Sequence, residues 1–259
     1  GDIDMQIVID RSYSMLGPAM SNAKQAAKVL VDASGSGSTS MGLISFSDKD
    51  LVNQDYPITK IDSPSSNVKT ELKTAIDAIY ENGTTALYDA SQLALDNLTA
   101  YQFNEESNAP GVVFLLADGY DNDSSYTQEQ IIANYQNNDI AIFSLGYGFA
   151  SPTGPLLTLA SETGGKYFSS PTTLAEIVDA FLQANATATD NQNLASTTLT
   201  IESSQSATQV IAVDSGLDNV NVFINHNANL DDVQLTLLDS TGSEVSDVVF
   251  NCNDASETL

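Results

Sequence analysis

Through its first two thirds the chain alternates short apolar runs with segments whose apolar residues recur three and four apart, and this alternation limits the fold more than any other feature. "MQIVID" reads as a buried strand, and Ala23, Ala26, Ala27, Leu30 and Val31 then mark one face of a helix. "MGLISFS" reads as strand, Val68, Leu72, Ile76 and Ile79 as helix, and Leu87, Ala90, Leu93, Ala94 and Leu98 as a further helix. "GVVFLLAD" (strand), "TQEQIIANY" (helix), "IAIFSLG" (strand), "GPLLTLASETGG" (helix) and "KYFSS" (strand) follow, and Leu174, Ile177, Val178, Phe181 and Leu182 share the face of a last helix. Strands separated by helical crossovers lie parallel in one sheet, with helices on both faces. The expectation is an α/β doubly wound domain, its sheet mainly parallel, within residues 1–186.

The pattern changes after "QANATATDNQN", a polar linker over residues 187–196. Beyond it, "TTLTIES", "TQVIAVDS", "VNVFINHN", "VQLTLLDS" and "SEVSDVVF" are short alternating runs separated by Ser, Asp, Asn and Gly. Regular strand-and-turn spacing implies an all-β sandwich-like domain over 197–259, cut short at about five strands.

Lysine plus arginine number 8 against 34 aspartates and glutamates, a formal charge of −26 spread along the chain. Phosphate binding needs clustered cations, and Arg11 is the only arginine, so nucleic acid is excluded as a partner. The bland reading of the charge is a solvated, soluble surface; the other is a surface that collects divalent cations. Cys252 is the only cysteine, which rules out an internal disulfide. No run approaches a membrane span, and the start at Gly1 is compatible with a removed leader.

In an open α/β sheet, ligands bind in the crevice at the carboxyl ends of the strands. Asp10 closes the first strand in "DRSYS", with Ser12 and Ser14 after it; "NGTTALYDA" brings Thr84 and Thr85 to a helix start; "LLADGYDND" ends its strand at Asp118. Singly, each has a structural explanation: Asp10, Ser14, Thr84 or Thr85 as a helix cap, Asp118-Gly119 as a turn. Jointly they form an all-oxygen set of two carboxylates and three hydroxyls. That set suits a hard cation such as magnesium, manganese or calcium better than zinc or copper.

These segments resemble the von Willebrand factor A domains, which include the integrin inserted domains and have a Rossmann-like fold. Their metal-ion-dependent adhesion site uses an Asp-x-Ser-x-Ser loop, a threonine from a second loop and an aspartate from a third. "DRSYS" matches without departure, and counting back from Ala90 selects Thr85 over Thr84. The family's Asp-Gly pair selects Asp118. The resemblance covers about residues 3 to 186. It implies that Asp10, Ser12, Ser14, Thr85 and Asp118 hold Mg2+, or Ca2+ or Mn2+, and that a carboxylate of a protein partner completes the shell. It further implies a non-enzymatic adhesion or protein-binding role at the cell surface or outside the cell, within a larger exported protein. Family members can couple binding to a shift of the last helix, here Leu174 to Leu182. More narrowly, "VIAVDSGLDNVNVFINHNANLDDVQLTLLDSTGS" resembles the β-rich segment of calcium-activated chloride channel regulator and hemicentin-like proteins.

Other classes fit less well. A haloacid-dehalogenase-type phosphatase, the metal-dependent hydrolase alternative, needs Asp-x-Asp where position 12 is serine. A serine hydrolase needs a base, and the only histidine, His226, lies in the second domain without partners. "GSGSTS" has neither the spacing nor the lysine of a phosphate loop. A structural spacer in a larger surface protein stays open, separable by metal dependence of binding. Asp121 and Asp123, close to Asp118, are a candidate second cation site; their spacing is not that of an EF-hand, and a solvated turn explains them better. Tyr13 and Tyr120 flank the metal loops as a candidate partner-contact rim. Asn-x-Ser/Thr triplets begin at Asn82, Asn97, Asn122 and Asn185, and glycans on Asn82 or Asn122 would crowd the site.

Overall fold

The computed structural model describes residues 3–34, 39–63, 66–147 and 154–169, with residues 176, 177, 179, 180, 183, 206, 208, 210, 236, 238, 239 and 241–244. The chain divides into two units, residues 1–218 and 219–259.

The first unit carries a mixed six-stranded sheet: β1 (Ile3–Asp10), β2 (Thr39–Phe46), β3 (Val52–Lys60), β4 (Gly111–Ala117), β5 (Ala141–Gly146) and β6 (Tyr167–Ser169). Their order is β3-β2-β1-β4-β5-β6. All neighbours run parallel except β3, which returns antiparallel to β2. Every residue of β1, β2 and β4 is buried, the condition of strands covered on both faces. The sequence pattern predicts no strand over Val52–Lys60. This polar stretch with Pro57 and Lys60 lacks a buried-strand pattern, and those residue types are tolerated at a sheet edge, where the strand lies.

Helices α1 (Pro18–Ala33) and α2 (Val68–Ala78) pack on one face, where Leu30, Leu72 and Ile76 meet Met5, Ile7 and Ile9. Helices α3 (Leu87–Asn104), α4 (Gln128–Asn137) and α5 (Pro155–Glu162) cover the other, where Leu98, Tyr135 and Leu159 meet Val8, Val113 and Leu115. Truncating a fully buried side chain such as Ile7 to alanine costs about 2–5 kcal/mol. Residues 176, 177, 179, 180 and 183 are helical, and Ile177 joins the core beside α1. The rest of the expected last helix, the linker at 187–196 and nearly all of the expected β-sandwich lie outside the described residues. In the second unit, Leu238 and Glu244 form an antiparallel bridge around a turn. There Asp239 Oδ1 accepts from the Thr241 and Ser243 amides at 2.8 and 2.9 Å.

Sheet order places the crevice. From β1 the chain winds to β2 on one side and later to β4 on the other, so the loops after β1 and β4 part company there. Ile9 is in register with Leu116, so Asp10 and Asp118 emerge beside each other at the carboxyl edge.

Candidate metal centre

Asp10 is the last residue of β1 and fully buried. Its Oδ1 accepts the Ser12 amide at 2.8 Å, an Asx turn that bends the chain out of the sheet. A short 3-10 turn, Tyr13–Met15, follows, and Met15 anchors it in the core. Ser12 is buried and Ser14 exposed, with their hydroxyl oxygens 3.0 Å apart. Neither serine caps the next helix: α1 starts from Gly17, at a φ of +87°, with Pro18 in its first turn and no side-chain cap.

The helix-cap explanation also fails in the second loop. Helix α3 takes Ala86 at its N-cap, without a cap from Thr84 or Thr85. The two threonines differ sharply in environment. Thr84 is exposed; its amide donates to Asp48 Oδ1 at 2.7 Å and its hydroxyl to the same oxygen. These bonds hold the Asp48 carboxyl below the usual range. Thr85 is buried. Its backbone is clamped to the third loop: the Thr85 amide donates to Asn122 Oδ1 at 2.9 Å, while the Asn122 and Asp123 amides donate to the Thr85 carbonyl at 2.9 and 3.1 Å. The first and second loops are joined by the Asn82 amide on the Arg11 carbonyl (2.8 Å) and the Tyr13 amide on the Gly83 carbonyl (3.2 Å). Asp10, Ser12, Ser14, Thr85 and Asp118 thus lie on three loops, the second bonded to each of the other two.

Among the described residues Asp10 Oδ2 and Asp118 Oδ1 are both buried and have no hydrogen-bond partner. Burial pushes the Asp10 carboxyl up to about 7; the bonds from Ser12 pull it down, and the nearby Asp118 charge raises it further. Two unpaired buried carboxylate oxygens are costly in a protein interior, and a cation between them removes the cost. The oxygens fit a hard divalent ion: two acids, backed by hydroxyls that add no charge. Among the described residues no three Asp, Glu, His or Cys side chains converge, so the set is neither a soft-metal nor a carboxylate-rich site.

Asp121 and Asp123 have other work here. Asp121 Oδ1 accepts the Leu87 amide at 2.9 Å and Asp123 Oδ2 the Lys49 amide at 3.0 Å. Asp121 also accepts from the Ser124 hydroxyl, whose oxygen takes the Tyr88 amide. The third loop therefore caps α3 in place of the threonines. Tyr13 and Tyr120 are 67% and 59% exposed, and Leu16 is exposed with them. Asn82 and Asn122 both use their side-chain oxygens to tie loops together. The sequence reading singled out these two asparagines only as glycosylation triplets and missed Ser47, Asp48 and Ser124 as loop ties, because nothing local to them marks a partner 35 or more residues away.

A family model described as von Willebrand factor type A domain matches residues 4–183. No curated protein matches the chain. Among solved structures, a von Willebrand factor type A protein from Catenulispora acidiphila is 21% identical with a TM-score of 0.55, covering 72% of this chain and 42% of its own. Proximal thread matrix protein 1 from the mussel byssus is 20% identical with a TM-score of 0.54, covering 73% of this chain and 46% of its own. The chain therefore spans less than half the length of either. An aerotolerance-related membrane protein from Bacteroides fragilis NCTC 9343, solved with multiple mutations to serine, is 20% identical with a TM-score of 0.53, covering 71% of this chain and 98% of its own. Among the described residues no helix is long and apolar enough to cross a membrane.

Proposed function

We propose a function from the premise that the chain belongs to the von Willebrand factor type A family: it is a non-enzymatic recognition module that binds an acidic group of a protein partner through a divalent cation. The observation that carries this reading is the pair of buried, unpaired oxygens, Asp10 Oδ2 and Asp118 Oδ1, at the carboxyl edge of the sheet. Asp10, Ser12, Ser14, Thr85 and Asp118 would hold the ion, directly or through water. Magnesium is the first choice, with calcium or manganese able to occupy the same oxygens. With only two carboxylates facing it, a bound divalent ion keeps a positive field and an open position for the partner's carboxylate. The neutral hydroxyls of Ser12, Ser14 and Thr85 contribute oxygens without cancelling that field. Tyr13 and Tyr120, exposed beside these loops, supply amphipathic surface around the contact. An adhesive role outside the cell or at its surface agrees with the acidic composition.

The mussel byssus protein has also been solved with zinc in its MIDAS motif, which makes zinc a necessary comparison ion. Calorimetric titration of the wild type and Asp118→Ala with Mg2+, Mn2+ and Zn2+ tests the reading. Wild type should bind, and Asp118→Ala should lose metal-dependent stabilisation while keeping its far-UV signature. Unchanged metal affinity in the variant would refute the site.

A further inference from the structure

A permanent positive charge one residue from Asp10 works against a bound cation, yet the chain's only arginine is there. Arg11 is buried and its charge is spent elsewhere. Nη1 donates to Asn82 Oδ1, Nη2 to the Leu51 carbonyl at 3.3 Å, and the guanidinium lies 5.7 Å from the centre of the Tyr80 ring. The same Asn82 Oδ1 accepts the Ser47 hydroxyl at 2.9 Å, and the Asn82 amide donates to the Arg11 carbonyl at 2.8 Å. One carboxamide thus joins the loop of Asp10, Ser12 and Ser14, the loop after β2, and its own loop, three residues before Thr85.

We propose that Asn82 is a positioning residue of the metal site: by bridging Arg11 and Ser47 it sets the distance between the first two ligand loops and so determines metal affinity. The inference rests on the metal-site reading above. A bridge that holds the loops in place lowers the ordering cost of binding, as outer-shell partners of metal ligands do. Asn82 itself donates nothing to the ion. The guanidinium borders a cavity of about 120 Å³ lined in part by Ser45, Asn53, Asp55 and Tyr80, so water can solvate it when the bridge is cut.

The test is calorimetric titration of the full chain with Mg2+ and with Mn2+, beside thermal unfolding in chelator. Asn82→Ala should weaken the Kd for both ions about tenfold, the lower end of the range for outer-shell substitutions. Asn82→Asp keeps both acceptor contacts and should restore the Kd to within about threefold of wild type. A merely structural residue would lower the melting temperature in chelator and leave the Kd where it was, so a Kd for Asn82→Ala within twofold of wild type overturns the proposal. So does an Asn82→Asp variant as weak as Asn82→Ala. Should Asn82→Ala fail to fold, Ser47→Ala removes one of the two donors, and an unchanged Kd there refutes the bridge. Wild-type protein that binds neither ion would defeat the metal reading itself, a separate and recognisable result.

Discussion

Replacing Asp10 by asparagine should make the metal-free protein more stable while abolishing its metal binding. In the folded chain the Asp10 carboxyl is pushed from 3.8 up to about 7, chiefly by burial. A raised folded-state pKa means that the folded protein holds more protons than the unfolded chain between these values, so stability falls as pH rises from about 4 to about 7. A gap of about three pKa units at 1.36 kcal/mol each puts the full penalty at about 4 kcal/mol above pH 7. Between pH 5 and pH 8 the loss from this one group is about 2–3 kcal/mol. Asp10→Asn keeps the acceptor for the Ser12 amide and offers a donor to the orphaned Asp118 Oδ1. In chelator at pH 8 the variant should therefore gain up to about 4 kcal/mol, which for a domain of this size is about 8–15 °C in Tm. Urea unfolding of both proteins at pH 5 and pH 8 is the assay, because the difference between them cancels the repulsion that all other carboxylates share. The advantage of the variant should widen by about 2–3 kcal/mol from pH 5 to pH 8. A constant gap, or a variant no more stable than wild type at pH 8, would mean that Asp10 is not a strained buried charge.

Thr85→Ala should weaken magnesium binding about tenfold, whereas Thr84→Ala, whose hydroxyl is held by Asp48, should cost stability of about 1 kcal/mol and leave the Kd unchanged; calorimetry on both variants separates them. Gly83 has a φ of +70°, and a Cβ there would sit 2.7 Å from both Asp48 carboxylate oxygens. Gly83→Ala should accordingly destabilise by about 1–3 kcal/mol, read as a shifted urea midpoint. Tyr13→Ala and Tyr120→Ala should weaken capture of an acidic partner in magnesium while leaving the metal Kd within error, since both rings are exposed beside the ligand loops.

The layered architecture was legible because its cause is local. Runs such as "GVVFLLAD" can be buried on both faces only in a covered sheet, and helices with three-and-four spacing supply the cover. The edge strand Val52–Lys60 was not legible, because an edge needs neither apolar alternation nor a full set of amide donors. The ligand loops were visible as residue types at strand ends, but their supports were not. The bond from Arg11 to Asn82 spans 71 residues, and the ties from Asp121 and Asp123 span 34 and 74. Such pairings exist only once the sheet order has brought the loops together. In the same way, Asp121 and Asp123 read as spare carboxylates until the backbone amides of Leu87 and Lys49 claim them.

If one divalent ion sits among Asp10, Ser12, Ser14, Thr85 and Asp118, anomalous diffraction from manganese-soaked crystals will locate it. A single strong peak is expected at about 2.0–2.2 Å from its directly bound oxygens, drawn from those five side chains, with the remaining positions taken by water. A peak beside Thr84 or between Asp121 and Asp123, or no peak at a saturating manganese concentration, would contradict it.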